Sequence, residues 1–314
     1  MRLIAPDYYP EFRCIADKCR HSCCIGWEID IDADTREKYR RVPGDFGKRL
    51  NAAIDDGAVS SFRLGENERC PMLNPSGLCD LITELGEECL CQICADHPRY
   101  RNYFADRTEI GLGLCCEEAA RLILSREKPM TLITLETDGE AESLPEEEAE
   151  LLSLRAELID LLQDDSRSVE DCLDALLAAV DFAIPEKDWA AVYRGLERLD
   201  PAWDAQLEKL APKVSKGRAE SPLVAPAEEV PLHTAWRNFA VYMLYRHLPG
   251  ALEDDDIPGR VAFCVLSARV LMALCAAKDG CTLADCIELA RMYSAEIEYD
   301  EDNIAALLDA LWEV

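Results

Sequence analysis

Cysteine is the residue type in this sequence that offers the most chemistry. Eleven of the 16 cysteines lie within residues 1–116 of the 314-residue chain. Thiolates on a turning backbone can converge on one metal centre, and four of them satisfy either tetrahedral Zn²⁺ or an iron–sulfur cluster. Spacing alone does not distinguish these metals. We predict a metal centre whose candidate ligands are Cys14, Cys19, Cys23, Cys24, Cys70, Cys79, Cys94 and Cys116.

The candidate ligands form two sets, which we expect to meet in one compact region. The second set is spread between Cys70 and Cys116, a spacing that suits ligands brought together by the fold. Adjacent cysteines normally point apart, so we expect at most one of Cys23 and Cys24 to bind a given metal. The first set is compact and has the spacing Cys14-x4-Cys19-x3-Cys23-Cys24.

The remaining cysteines and two histidines are weaker candidates for metal ligands. His21 and His97 lie among the thiolates, where an imidazole could serve as a ligand or as a general base. Cys89, Cys91 and Cys115 are interpreted as extra ligands or as small buried hydrophobes. Five cysteines fall in apolar helical runs and are predicted to belong to the core: Cys172, Cys264, Cys275, Cys281 and Cys286.

The charge of the chain excludes some classes of partner. Its 62 acidic and 33 basic residues give a formal net charge of −29, which repels nucleic-acid phosphates and an anionic membrane surface. Residues 1–7 contain no apolar signal-peptide core, which favours a cytoplasmic protein. Thiols stay reduced there, so metal binding is favoured over the alternative of a secreted disulfide protein. The most apolar stretch, 261–277, contains Arg269 and is predicted to be too short to span a bilayer.

Charge and cysteine content divide the sequence at the same place. Residues 1–116 carry 15 basic and 20 acidic residues, and residues 117–314 carry the remaining 18 and 42. We therefore predict a cysteine-rich metal-binding domain at 1–128, an acidic solvated linker at 129–150 and a helical domain at 151–314. The predicted fold class is α+β and mostly α, with short strands in the small cysteine-rich domain and an all-helical second domain.

Short elements are expected in the cysteine-rich half. Alternating apolar and polar residues predict strands at 27–31 and 60–64 and a hairpin formed by 101–104 and 109–114. Gly111-Leu112-Gly113 loosely resembles a glycine-rich cofactor loop, but no βαβ unit surrounds it, so we favour the hairpin strand. A helical run is predicted from residue 80 to residue 90.

Helices are expected almost throughout the second half, with no parallel sheet beyond residue 150. A loop with several prolines is predicted at 212–231. Apolar residues spaced three and four apart predict helices at 151–162, 169–182, 189–199, 233–248, 261–276, 283–298 and 304–312.

Four cysteine-containing motifs follow one another between residues 12 and 124. They are RCIADKCRHSCCIGW at 13–27, CPML and LC within 70–79, LGE and CADHPR within 85–99, and LCCEEAAR at 114–121. Their order and spacing resemble the flagellin lysine-N-methylase family. His97 stands where that family usually has Tyr, and Glu117 where it usually has Pro. The later segment WRNFAVY, residues 236–242, resembles the family's C-terminal helical region more weakly.

The resemblance implies an enzyme that transfers methyl groups from S-adenosylmethionine to lysine ε-amines of flagellin and carries an iron–sulfur cluster, of the 4Fe-4S type. The first cysteine set also resembles a broader group of zinc- or iron-chelating proteins. Two alternatives therefore stay open: a zinc- or iron-chelating module on a helical scaffold without catalytic activity, and an electron-transfer protein. The sequence leaves the oligomeric state open.

The spacing of the cysteines also bears on mechanism. No Cys-x3-Cys-x2-Cys motif is present, so a radical mechanism with an open iron is not indicated and a polar transfer is predicted. We expect the cofactor between the cysteine-rich domain and the helical half, with a Tyr, His or carboxylate to take the proton from lysine. Five aromatic residues near the cysteines are assigned to the hydrophobic core in preference to the wall of a cofactor site: Trp27, Tyr39, Tyr100, Tyr103 and Phe104.

Overall fold

The computed structural model describes residues 1–139, 142–210 and 230–313. The strands are β1 Arg2–Pro6, β2 Asp30–Ile31, β3 Ile54–Asp56, β4 Ser60–Phe62, β5 Arg99–Tyr103, β6 Arg107–Leu112 and β7 Leu132–Thr137. The α-helices are α1 Ala33–Arg40, α2 Gly44–Ala52, α3 Asp80–Leu85, α4 Gln92–Asp96, α5 Glu117–Leu124, α6 Glu146–Leu162, α7 Val169–Ala179, α8 Trp189–Gly195, α9 Pro201–Leu207, α10 Leu232–His247, α11 Ala251–Asp254, α12 Ile257–Ala276, α13 Leu283–Tyr293 and α14 Glu301–Trp312.

The chain divides into two compact units. The smaller one, Arg13–Tyr100, is called the cysteine-rich unit; the larger one, Met1–Phe12 with Arg101–Val314, is called the helical unit. The N-terminal strand and residues 101–128 thus lie in the helical unit, whereas the sequence assigned them to the cysteine-rich domain. Strand pairing between distant segments causes this difference, because periodicity reveals a strand but not its partner. The division into domains at 1–128, 129–150 and 151–314 stays a prediction.

The cysteine-rich unit is built on a three-stranded antiparallel sheet of order β2-β4-β3. Asp32 caps α1 by accepting a hydrogen bond from the Thr35 backbone N–H at 2.9 Å. The Arg36 guanidinium binds Asp56 through two hydrogen bonds of 2.7 and 2.9 Å, which joins α1 to the end of β3. The predicted strands at 27–31 and 60–64 are present in shorter form. Gly86, at a φ of +95°, ends α3 earlier than the predicted helix end at residue 90.

The helical unit contains β6, β1, β7 and the last three residues of β5, which form a four-stranded sheet of order β5-β6-β1-β7. Strand β1 pairs parallel with β6 and antiparallel with β7. Reciprocal backbone hydrogen bonds between Phe104 and Arg107 close the turn of the predicted hairpin, which is confirmed. The predicted linker 129–150 contains strand β7, in which Ile133 and Leu135 are half-buried while their neighbours are exposed. Residues 140–141 of that segment lie outside the described residues.

Helices form most of the rest of this unit, and the mostly α fold is as predicted. Helix α10 packs against α5, α6, α12 and α13. Helix α12 is long and apolar enough to cross a membrane, whereas the apolar stretch 261–277 was predicted to be too short. However, 83% of the most apolar part of this helix is buried inside the unit. Such burial is typical of the core helix of a soluble protein. In the described chain beyond residue 150 there is no strand, as expected.

All seven predicted helices of this half are present, although their ends differ. The predicted helix at 283–298 continues from α13 into a π-helical segment, Ser294–Glu298. The short helices α9 and α11 were not predicted, since each is too short to show a periodic apolar face. The predicted loop at 212–231 lies almost entirely outside the described residues.

Two buried carboxylates connect elements of the helical unit. Arg155 of α6 donates to Glu109 of β6 at 2.7 Å, and both side chains are almost fully buried. Glu298, in the π-helical segment, accepts hydrogen bonds from the Tyr242 hydroxyl at 2.8 Å and from His247 Nε2 at 2.6 Å. Both partners of Glu298 lie on α10, so the carboxylate fastens the π-helical segment to the central helix.

Candidate metal centre

The backbone places Cys24 beside Cys70. The Cys70 N–H donates to the Cys24 carbonyl at 2.8 Å, and Ile25 pairs with Arg69 in an isolated antiparallel bridge. Cys70 is 5% exposed and belongs to the apolar core of the cysteine-rich unit, against which Cys24 packs. Two segments that are distant in sequence therefore meet at these two cysteines.

A tight turn returns the chain from Cys70 to Cys79. The Asn74 side-chain oxygen accepts hydrogen bonds from the backbone N–H groups of Ser76 and Leu78, at 2.9 and 3.1 Å. An asparagine that bonds its own following backbone is a common turn former. As a result Cys79 packs against the same apolar core as Cys70.

Cys91 and Cys94 bring two more thiols to this core. Cys91 is the fully buried N-cap of α4, and Cys94 follows within its first turn. Asp32 accepts a hydrogen bond from the Gln92 N–H at 2.9 Å and so ties the start of α4 to the start of α1. We call the five residues Cys24, Cys70, Cys79, Cys91 and Cys94 the thiol cluster.

The pKa values of the cluster show that its thiols are electrostatic neighbours. Burial raises the pKa of Cys70 to about 12, and the nearby Cys24 and Cys79 add to the effect. The pKa of Cys94 is raised by its hydrogen bond to Cys91 and by burial, with Cys24 and Cys70 contributing through their charge. Neighbouring thiols that oppose each other's ionisation can all ionise when they bind a metal cation, because the cation replaces their protons.

Hydrogen-bond donors also point at the sulfurs. Burial raises the pKa of Cys79, but the backbone N–H groups of Ile82 and Leu81 at the start of α3 act in the opposite direction. The pKa of Cys24 is lowered to about 7, chiefly by its hydrogen bond with Cys23. N–H and S–H groups directed at sulfur stabilise the thiolate, which is the form that binds metals.

The spread of the thiols bears on which metal they fit. A Zn–S bond of about 2.3 Å in a tetrahedral site puts the ligand sulfurs roughly 3.8 Å apart. Among the described residues, the trio with all ligand atoms within 4.8 Å of one another consists of carboxylates, Glu197, Asp300 and Asp302. The thiol cluster is therefore spread more widely than the ligands of one preformed zinc ion. Thiolates move closer together when they bind one ion, so the donor set fits zinc as well as an iron–sulfur cluster.

The other predicted ligands lie in different surroundings. Cys14 is exposed, and its sulfur accepts a hydrogen bond from the Ala16 backbone, while the Cys19 thiol donates to the His21 carbonyl. Cys23 is exposed and its thiol is in hydrogen-bonding contact with Cys24, so these neighbours do not point apart as expected. Cys116 is the N-cap of α5 and belongs to the helical unit. Metal ligation by all eight predicted cysteines stays a prediction.

Cys91 is the member of the cluster that was absent from the predicted ligand set. The sequence interpretation left it as an extra ligand or a buried hydrophobe. A stronger signal was present, because Cys91-Gln92-Ile93-Cys94 is a Cys-x2-Cys pair, the spacing that commonly places two thiolates on one metal. Cys89 differs from the cluster cysteines, since its thiol donates to the carbonyl of Leu85, four residues earlier in the chain.

Tyr39 lies in the apolar core against which the thiol cluster packs, and Trp27 and His97 pair with each other. Tyr39 is buried, donates its hydroxyl proton to the Cys89 carbonyl at 2.7 Å, and has a pKa raised by burial and by the neighbouring thiols. The ring of His97 lies 6.0 Å from that of Trp27, and burial lowers the pKa of His97 to about 4, so this imidazole is neutral. His21 is exposed.

The remaining aromatic residues and the cysteines of the helical unit separate into core and surface. Phe104 is buried, Tyr100 is half-buried and Tyr103 is 73% exposed. Burial is the main cause that raises the pKa of Cys115 to about 12, and a hydrogen bond with Tyr299 acts in the opposite direction. The predicted core cysteines are all buried, which confirms that interpretation: Cys172, Cys264, Cys275, Cys281 and Cys286.

Comparison with known proteins supports the resemblance seen in the motifs. The chain is 29% identical over 222 residues to proteins named Lysine-N-methylase from Salmonella typhimurium and Salmonella choleraesuis; the match covers 65% of this chain and 53% of each relative. It is 28% identical over 138 residues to the Flagellar biosynthetic protein FliU of Salmonella muenchen, covering 40% of this chain and 79% of that protein. The predicted resemblance is confirmed. The chain spans about half the length of the lysine-N-methylases it matches.

No protein-family model matches the chain. No solved structure matches it either.

Proposed function

We propose that this chain transfers methyl groups from S-adenosylmethionine to lysine ε-amines of flagellin, and that its thiol cluster binds a [4Fe–4S] cluster. The observation that carries the proposal is that cysteines of the family-like motifs converge in a chain similar to proteins named Lysine-N-methylase. Cys24, Cys70, Cys79 and Cys94 come from three of these motifs and pack against one core. The similarity to a flagellar biosynthetic protein supports a flagellar substrate.

The cluster would be bound by thiolates of the cysteine-rich unit. Cys24, Cys70, Cys79 and Cys94 would supply four ligands, and Cys91 lies in hydrogen-bonding contact with Cys94 as a fifth donor. The backbone N–H groups directed at Cys79 lower the cost of its negative charge. The bound group would make the unit rigid, because its ligands come from three separate segments that are otherwise joined by short turns.

The proposed chemistry is a polar methyl transfer. When bound, S-adenosylmethionine supplies an electrophilic methyl group on a sulfonium. The chain must position a neutral lysine amine, so a side chain of this protein must accept the proton that a lysine carries at neutral pH. Because no Cys-x3-Cys-x2-Cys motif is present, the cysteine-bound group is assigned a structural or positioning role.

The acidic half of the chain is suited to a substrate with exposed lysines. Residues 117–314 contain 42 acidic and 18 basic residues. A surface field of this sign attracts a cationic partner and accelerates its encounter with the enzyme. We place this encounter in the cytoplasm, where the thiols stay reduced and newly made flagellin is within reach.

The proposal is tested by incubating the anaerobically purified protein with flagellin and S-adenosylmethionine that carries a labelled methyl group, without reductant. We expect label on flagellin lysines and no 5′-deoxyadenosine among the products. Transfer that strictly requires a strong reductant and releases 5′-deoxyadenosine would overturn the polar mechanism. A metal-loaded, folded protein that leaves flagellin unlabelled with and without reductant would contradict the methylase function and favour a chelating scaffold.

A further inference from the structure

A cavity of about 850 Å³ opens in the helical unit at the start of α10. Four segments of this one unit form it: residues 127–129 after α5, residues 163–170 from the α6–α7 loop into the start of α7, residues 233–238 of α10, and Met272 of α12. Its volume is within the range of sites that bind small molecules and cofactors. It contains the first three residues of the WRNFAVY segment, which resembles the C-terminal region of the methylase family.

Consecutive residues of α10 fix the walls of this cavity. The buried Arg237 guanidinium donates to the carbonyls of Asp164 and Arg167 at 2.9 and 2.8 Å, which holds the loop between α6 and α7. The Asn238 amide donates to the Arg126 carbonyl at 2.9 Å, which holds the segment after α5. The opposite walls are therefore attached to one helix, and the cavity is formed before any ligand enters.

The lining combines an apolar wall with a desolvated carboxylate. Trp236 and Met272 are buried side chains whose surfaces face the cavity together with Val169. Glu170 is half-buried; its Oε2 forms an ion pair of 3.7 Å with Nε of Arg269, whose guanidinium is also hydrogen-bonded to Asp174. Burial raises the pKa of Glu170, which reflects the cost of an incompletely compensated charge.

This chemistry selects for a cation with a flat apolar part. A sulfonium or ammonium group near Glu170 would add to the partial charge compensation that Arg269 gives this half-buried carboxylate, and an aromatic wall also attracts cations. The buried Arg237 is already used by backbone carbonyls, whereas Lys128 and Arg167, which also line the cavity, would face the carboxylate of a ligand that carries both charges.

We propose that this cavity binds S-adenosylmethionine, with Trp236 and Met272 against its apolar surface and Glu170 facing its positive charge. The inference rests on the proposed function, which requires that methyl donor. It places the donor inside the helical unit, whereas the sequence led us to expect it between the two predicted domains.

The test is direct binding of S-adenosylmethionine to the full chain, measured by isothermal titration calorimetry. The variant Glu170→Gln keeps the side-chain shape, and Glu157→Gln, an exposed position of α6 that does not line the cavity, is the matched control. We expect Glu170→Gln to weaken S-adenosylmethionine binding about tenfold and to leave binding of the uncharged thioether S-adenosylhomocysteine nearly unchanged. Glu157→Gln should bind like the parent protein.

Hydrogen exchange gives a second readout that does not depend on activity. S-adenosylmethionine should slow exchange in residues 163–170 and 233–238 of the parent protein. Wild-type affinity in a folded Glu170→Gln variant, or protection confined to other segments, would overturn the cavity proposal even if flagellin is methylated. The expected binding and protection without any methyl transfer would support the cavity and contradict the proposed function.

Discussion

Replacing Glu298 with glutamine removes one negative charge from the centre of the helical unit while keeping the shape of the side chain. Glu298 is 5% exposed, and its Oε2 accepts hydrogen bonds from Tyr242 and His247 and lies 3.3 Å from Arg246 Nη1. The positive charge of Arg246 and the hydrogen bond from His247 outweigh burial and lower the pKa of Glu298 to about 2. The ionised carboxylate is therefore favoured in the folded protein.

The size of the effect follows from that shift. A pKa near 2, against the ordinary 4.5, corresponds to about 3 kcal/mol of stability at neutral pH. Removing one partner of a buried ion pair costs about 3–5 kcal/mol in other proteins, which agrees. For a unit of this size, about 3 kcal/mol lowers the midpoint of thermal unfolding by roughly 6–12 °C.

The assay is urea denaturation followed by far-ultraviolet circular dichroism, with calorimetry for the unfolding temperature. Glu157→Gln is the control, because Glu157 is exposed in the middle of α6 and its loss should change stability by less than about 0.5 kcal/mol. A Glu298→Gln variant that loses less than about 1 kcal/mol would refute the reasoning, since the carboxylate would then contribute no more than an exposed one.

Three further predictions concern pH, metal content and helix capping. Burial lowers the pKa of His247, and the pKa of Glu298 is lowered to about 2, so both groups bind protons at a higher pH in the unfolded chain than in the folded protein. The free energy of unfolding should therefore fall as the pH drops from about 7 toward 2. In a denaturation series at different pH values, Glu298→Gln should flatten the part of this dependence below about pH 5. Cys70→Ser should reduce bound metal per chain in elemental analysis, whereas Cys264→Ala, in the core of α12, should keep it; equal metal content in both would contradict the assignment. Asp32→Ala should destabilise the cysteine-rich unit by about 1–2 kcal/mol in hydrogen exchange of α1 and α4, because one carboxylate caps both helices; unchanged exchange would argue against this cap.

Local patterns allowed the helices and many of the chemically active residues to be predicted. The helices beyond residue 150 carry apolar side chains at helical spacing, which is a local property of the chain. The density of cysteines in residues 1–116 likewise pointed to the segments that now form the thiol cluster. Cys24, Cys70, Cys79 and Cys94 were all among the predicted ligands.

Relations between distant segments could not be predicted in the same way. Strand β1 joins β6 and β7 in a sheet of the helical unit, and no feature of residues 2–6 specifies those partners. Cys116 belongs to that unit for the same reason, although its motif follows the other cysteine motifs in sequence. The cavity at the start of α10 also depends on three distant segments, so the sequence alone did not indicate it.

The most direct test of the metal centre is the iron, zinc and acid-labile sulfide content of protein purified without oxygen. If the thiol cluster binds a [4Fe–4S] cluster, the protein is brown, contains iron and sulfide in nearly equal amounts, and loses both in Cys70→Ser. A colourless protein with one equivalent of zinc and no sulfide would contradict the iron–sulfur assignment.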